Sequence, residues 1–169
     1  MPDTSRIYIP KRVSGMLRGI YTSRVTVVIA PDGCGKSTLV REFTSRTRPA
    51  GISLRTITGA GNTGECFAQI CAIVTGQEFA EPLSEREFMA VSQEFAAARP
   101  KKPLLIIVDC DCAACTALGN YRTAKLLRDC RCARFVFVSS AMKPAYRGLA
   151  HEMGFTLIER DSLSMNISE

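Results

Sequence analysis

Short β-branched runs alternate with longer stretches of 3.6-residue periodicity along this chain. Val25-Thr26-Val27-Val28-Ile29 stops at Pro31 and two glycines and reads as a buried strand. A helix follows over residues 36–46. Residues 52–58 form a weaker second strand, closed by Gly59 and Gly61. Thr63 then caps a helix with Phe67, Ile70, Cys71 and Val74 on one face, and Gly76 ends it. Ser84 and Glu87 have capping-box spacing, and behind them Phe88, Val91 and Phe95 line a helical face as far as Ala98. Pro100 and Pro103 punctuate the exit. Leu104-Leu105-Ile106-Ile107-Val108-Asp109 is the most hydrophobic strand, and it ends on a carboxylate. A helix over 118–129, a strand over 135–139, a helical or loop segment over 146–153 and a strand over 155–158 complete the pattern. Residues 160–169 have no obvious partner element. Apolar runs without polar alternation belong to strands covered on both faces. Strands alternating with helices predict an α/β domain with a mostly parallel sheet.

A length of 169 residues suits one compact domain, and 46% hydrophobic residues exclude a disordered chain. No run of about 18 apolar residues occurs, so no membrane-spanning helix is expected. The first residues carry no apolar run ending at a small-residue cleavage site, so no secretory signal is expected. The net charge of +6 suits a polyanionic partner, a nucleotide phosphate or a nucleic acid, although a solvated basic surface is the simpler reading. Its local clusters are Lys101-Lys102 and Arg128/Arg131/Arg134, and neither reads as a nucleic-acid arm. A single histidine, His151, argues against multi-histidine metal sites. Eight cysteines, several inside apolar patterns, read as small hydrophobes in a reducing cytoplasm rather than as a secreted disulfide framework.

The strongest chemical signal is Ala30-Pro31-Asp32-Gly33-Cys34-Gly35-Lys36-Ser37-Thr38. It follows the phosphate-loop pattern G-x-x-x-x-G-K-[ST], with Ala30 in place of the first glycine. Gly33 and Gly35 permit backbone angles closed to other residues, so successive N–H groups can turn inward. With the positive end of the next helix they form an anion cradle. In such a cradle Lys36 neutralises the β- and γ-phosphates, Ser37 binds Mg²⁺, and Thr38 packs or meets the α-phosphate. Pro31, Asp32 and Cys34 complete the loop. Cys34, if exposed, is a point where alkylation or oxidation blocks nucleotide.

Asp109 lies at the carboxyl end of a buried strand, where ligands bind in open α/β sheets, and suits Mg²⁺. The next position, where many ATPases carry a second acid, holds Cys110, a poor general base. Asp111 is the substitute if the chain stays extended. Ser139 and Ser140 end the fourth strand, and Ser140 is placed to meet the γ-phosphate or the attacking water; a serine pair satisfying local backbone is the competing reading. Cys112, Cys115, Cys130 and Cys132 read chiefly as free thiols, with a zinc site or a redox pair as lesser alternatives.

These residues resemble the nucleotide-binding domain of the STAND NTPases, specifically the large LuxR-type transcriptional activators related to the maltose-regulon activator. The resemblance covers nearly the whole chain. It runs from Ile9-Pro10-Lys11-Arg12, similar to an entry segment before a short helix, through the Ala30–Thr38 loop, where Ala-Pro-x-Gly is common in that family. Residues 103–109 resemble its acidic strand, 135–140 its sensor strand, and 153–169 its passage into a winged helix. The resemblance implies a three-layer P-loop NTPase fold of the ASCE type, with a parallel five-stranded sheet of order 5-1-4-3-2. It implies a nucleotide-binding domain over residues 1–160, with 161–169 starting a linker to a winged-helix region beyond this sequence. It also implies an ATP/ADP-controlled switch with Mg²⁺, homo-oligomeric when active, touching DNA only through a later helix-turn-helix. Pro10 and Arg12 become candidates for the adenine pocket. Two departures matter: Cys110 replaces a second acid, and Ala141 stands where the family has an arginine after the sensor serine, so Lys143 or Arg147 would have to reach in. Both argue for slow or absent hydrolysis.

The alternative is a small-molecule P-loop kinase, with Arg122, Arg128 and Arg131 as recruits for its lid. A GTPase is disfavoured because no N-K-x-D or T-K-x-D stretch occurs. A nucleic-acid module is disfavoured because no aromatic-interleaved basic strand occurs.

Overall fold

The computed structural model describes residues 8–59, 63–79, 83–109, 117–141 and 156–159. Five strands form one parallel sheet: β1 (Val25–Ile29), β2 (Ser53–Thr58), β3 (Leu104–Asp109), β4 (Ala133–Ser139) and β5 (Thr156–Glu159). Their order across the sheet is β2-β3-β4-β1-β5, which read from the other edge is 5-1-4-3-2. The helices are α1 (Lys11–Leu17), α2 (Lys36–Thr47), α3 (Thr63–Thr75), α4 (Glu85–Ala97) and α5 (Ala117–Asp129), with a 3-10 turn at Arg18–Tyr21.

Alternation within the central strands sorts their side chains between two cores. Val25 and Val27, Leu104, Ile106 and Val108, and Phe135 and Phe137 face one side, under Phe67, Ile70, Phe88, Val91 and Leu126 of α3, α4 and α5. Val28, Leu105, Ile107, Val136 and Val138 face the other, under Val13, Leu17, Leu39, Val40 and Phe43 of α1 and α2. A period of two thus gives two covered faces and three layers, which is why these strands read as unbroken apolar runs.

Local signals explain most boundaries. Ser84 caps α4: its hydroxyl accepts from the Glu87 N–H at 3.2 Å, while the Glu87 carboxylate accepts from the Ser84 N–H at 2.7 Å. The same bond holds the Glu87 carboxyl below its usual range. The residues from Lys11 to Tyr21 form a short helix and turn where the family resemblance implies one; Val13, Leu17 and Ile20 are buried at helical spacing. β4 starts two residues earlier than its apolar run because Ala133 and Arg134 pair with Leu104 and Leu105 of β3. Arg24, just before β1, donates from Nη2 to the carbonyls of Leu127, Arg128 and Cys130 at 3.2, 2.8 and 2.6 Å. It thereby satisfies the acceptors exposed at the end of α5. Among the described residues no helix is long and apolar enough to cross a membrane. The segment over 146–153 and the tail over 160–169 lie outside the described residues.

Candidate phosphate-binding site

The chain leaves β1 through Ala30, which is buried and donates its N–H to the Ser139 carbonyl at 3.2 Å. This ties the loop's first residue to the end of β4. Pro31, Asp32, Gly33, Cys34 and Gly35 are exposed. The Cys34 N–H donates to the Pro31 carbonyl at 3.3 Å, closing a tight turn. Gly33 and Gly35 have φ of 80° and 73°, the left-handed region where a side chain is strained. No side chain caps the start of α2. The first N–H groups of a helix have no acceptor within it, so those of Lys36, Ser37 and Thr38 are free to serve an anion.

Lys36 is buried, unusual for a lysine, and its Nζ lies 3.3 Å from Asp32 Oδ1. Asp32 is 86% exposed, so the pair is worth only about 0.3–0.5 kcal/mol, as for other exposed i,i+4 pairs. A phosphate competing for Lys36 therefore gives up little. Ser37 is half-buried and donates its hydroxyl to Asp109 Oδ1 at 2.8 Å, joining the first turn of α2 to the end of β3. Thr38 is exposed, so it does not pack against the core and is open to a ligand.

Arg41, which no motif in the sequence marks, donates to Asp109 Oδ2 at 2.9 Å. It stands four residues after Ser37, so the two share a helix face. That spacing was visible; the acid they meet belongs to a distant strand. Asp109 is thus held between a hydroxyl and a guanidinium.

Ser139 is fully buried and its hydroxyl is spent locally, donating to the Ala141 carbonyl at 2.9 Å. Ser140 is half-buried directly beyond β4, beside the β1–loop junction through the Ile29–Ser139 pairing. Pro10 precedes α1 as its N-cap, and Arg12 is exposed in its first turn. Cys110, Asp111, Cys112, Cys115, Lys143, Arg147 and His151 lie outside the described residues.

The arginines of the kinase alternative are scattered. Arg122 is buried in α5 with its guanidinium carbon 4.9 Å from the Phe88 ring centroid, a cation–π contact. Arg128 is exposed in the last turn of α5. Arg131 precedes β4, so it lies at the amino ends of the strands, opposite the phosphate loop. There it lines a cavity of about 610 Å³ with Arg24, Pro103, Cys132 and Arg134. Cys130 and Cys132 bring their sulfurs within 3.8 Å. Burial first, and then the neighbouring Cys132, push the Cys130 thiol up to about 12. Among the described residues no group of three potential metal-ligating side chains occurs.

The parallel sheet, the loop after β1 and the acid ending β3 together make a fold like that of the P-loop NTPases. No protein-family model and no curated protein sequence matches the chain. Solved structures do. The chain is similar, over 90% of its length, to 52% of a chain in the structure of Drosophila ORC bound to AT-rich DNA and Cdc6, at a TM-score of 0.55 and 13% identity. It is similar over 94% of its length to 24% of the signal transduction ATPase with numerous domains (STAND) that carries a tetratricopeptide repeat sensor in Pyrococcus horikoshii, at 0.52 and 14%. A third likeness, to a chain of Drosophila ORC bound to DNA, covers 88% of this chain and 86% of that one at 0.55 and 12%. The chain therefore spans about half of the first and about a quarter of the second. At these identities the likeness is one of fold.

Proposed function

We propose that this chain is an ATP/ADP-binding switch domain of a signal-responsive transcription regulator, and at most a slow Mg²⁺-dependent ATPase. The observation that carries the reading is the convergence of Lys36, Ser37 and Asp109 on one loop whose glycines are left-handed. A buried lysine and the first N–H groups of an uncapped helix are complementary to a phosphate chain. Pro31, Asp32, Gly33, Cys34 and Gly35 supply the loop backbone, Lys36 takes the β- and γ-phosphates, and Thr38 contacts the α-phosphate.

Magnesium fits the same residues. The Ser37 hydroxyl and the Asp109 carboxylate are hard oxygen donors only 2.8 Å apart, the donor type Mg²⁺ takes alongside phosphate oxygens. Bound there, it would neutralise charge on the phosphates. The chain's own residues hold, orient and neutralise the nucleotide. Ser140 and Asp111 are the candidates for placing a water, and Cys110 beside Asp109 supports slow turnover. Adenine preference rests on the family resemblance, with Pro10 and Arg12 as candidate base contacts. From the same source come a homo-oligomeric active form, a cytoplasmic location, and DNA contact through a region beyond Glu169.

The test is nucleotide-dependent stabilisation. ATP and ADP should raise the melting temperature while GTP at equal concentration does not. Stabilisation by GTP alone, or by none of the three, contradicts the reading.

A further inference from the structure

Asp109 is the acid on which any metal at this site depends, and Arg41 already holds half of it. Among the described residues each oxygen of the carboxylate has one partner: Oδ1 accepts from Ser37 at 2.8 Å and Oδ2 from Arg41 at 2.9 Å. The partners differ in freedom. The Asp109 side chain is only 16% exposed and is fixed at the end of β3, while the Arg41 side chain is 53% exposed. The acid is therefore the anchored group and the arginine the one able to leave. Arg41 stands one turn beyond Ser37 on α2, so the guanidinium and the site's oxygen donors share one small region. A divalent cation drawn to Asp109 meets a positive charge already paired with the same carboxylate. Like charges at such distances oppose each other, the more so where water is partly excluded.

We propose that Arg41 is a positioning residue that serves as the built-in counter-cation of Asp109 and competes with Mg²⁺ for it. The proposal rests on the phosphate-loop reading above and specifies how that site is regulated. Arg41 lets the site take nucleotide with little help from the metal. When Mg²⁺ does take the carboxylate, the exposed guanidinium is released within one helical turn of the loop. Metal capture and arginine release are then one event, giving a nucleotide sensor an internal signal of whether the metal has arrived. A salt bridge that only fastens α2 to β3 makes a different prediction: its loss lowers stability and leaves the metal dependence alone.

The experiment measures ADP affinity by calorimetry in Mg²⁺ and in EDTA, for the wild type, R41A, R41K and the double variant R41A/D109N. The ratio of the two affinities reports coupling between metal and nucleotide. R41A should raise that ratio about tenfold, within the ~5–150-fold range usual for coupled sites. R41K, which keeps the charge, should stay near the wild type. In R41A/D109N the rise should vanish, because it passes through Asp109. If the wild type binds ADP and R41A leaves the ratio unchanged, the inference falls while the phosphate-loop reading stands. If the wild type binds ADP in neither medium, both fall.

Discussion

Replacing Gly35 by alanine puts the loop's backbone to a quantitative test. Gly35 has φ of +73°, and a Cβ built on it meets no atom within 4 Å. The substitution therefore introduces strain without a clash. Holding an L-residue in the left-handed region costs about 1–2 kcal/mol. Alanine also restricts the unfolded chain, which returns about 0.4–1 kcal/mol. The net expectation is a loss near ~1 kcal/mol, or roughly 2–4 °C in melting temperature for a domain of this size. Gly15 provides the opposite control. It lies inside α1, its Cβ would also meet nothing within 4 Å, and it has no positive φ. G15A should therefore stabilise by about 0.5–1 kcal/mol through helix propensity. Urea unfolding reads both, with a shifted midpoint and an unchanged slope as the sign of a stability effect. Equal or greater stability of G35A would mean that the loop in solution does not adopt the left-handed turn on which the cradle depends.

Other consequences follow from single side chains. Thr26 is fully buried in the sheet and its hydroxyl has no hydrogen-bond partner. T26V, nearly equal in shape, should raise stability by about 1 kcal/mol, and a drop on chemical unfolding would show that the hydroxyl is satisfied after all. Cys34 is exposed inside the loop, while Cys66, Cys71 and Cys130 are buried. N-ethylmaleimide should label Cys34 and block ADP binding, and bound ADP should protect it; peptide mapping that finds equal labelling with and without ADP refutes this. Burial and the neighbouring Cys132 push the Cys130 thiol up to about 12 in the fold. An unfolded thiol ionises near about 8.5, so above that pH the unfolded chain releases a proton the folded chain keeps. That contribution to stability is complete below about 8.5 and falls, by up to about 1.4 kcal/mol per pH unit, until the folded thiol ionises. C130A should be less stable than the wild type at neutral pH, with the gap narrowing from about pH 8 to about pH 10.5. A constant gap across urea titrations contradicts the buried, protonated thiol.

The order of strands and helices was legible because the central strands β1, β3 and β4 are covered on both faces and the helices carry apolar stripes. The β1–loop–α2 unit could be read residue by residue, since left-handed turns demand glycine and a phosphate cradle demands a lysine and a hydroxyl beside it. The α4 cap was legible for the same reason: its partners are three residues apart. Contacts made by folding were not. Arg41 meets Asp109 across 68 positions of sequence, and Arg24 reaches carbonyls 103 to 106 positions away. No local pattern encodes such partners. The two basic clusters also looked unrelated in sequence. Pairing of Leu104 with Ala133 places the lead-ins of both strands side by side, so Lys101-Lys102 and Arg131 share the amino end of the sheet. β4 begins two residues before its apolar run because Arg134, which interrupts that run, still pairs in register with Leu105.

The loop's role is tested most directly by following backbone amides in an NMR titration with ADP and Mg²⁺. With nucleotide seated in the loop, the N–H signals of Gly33, Gly35, Lys36 and Ser37 should move most, while those of Cys132 and Arg134, at the opposite end of the sheet, stay in place. Unmoved loop amides, or the largest changes at Cys132 and Arg134, would contradict it.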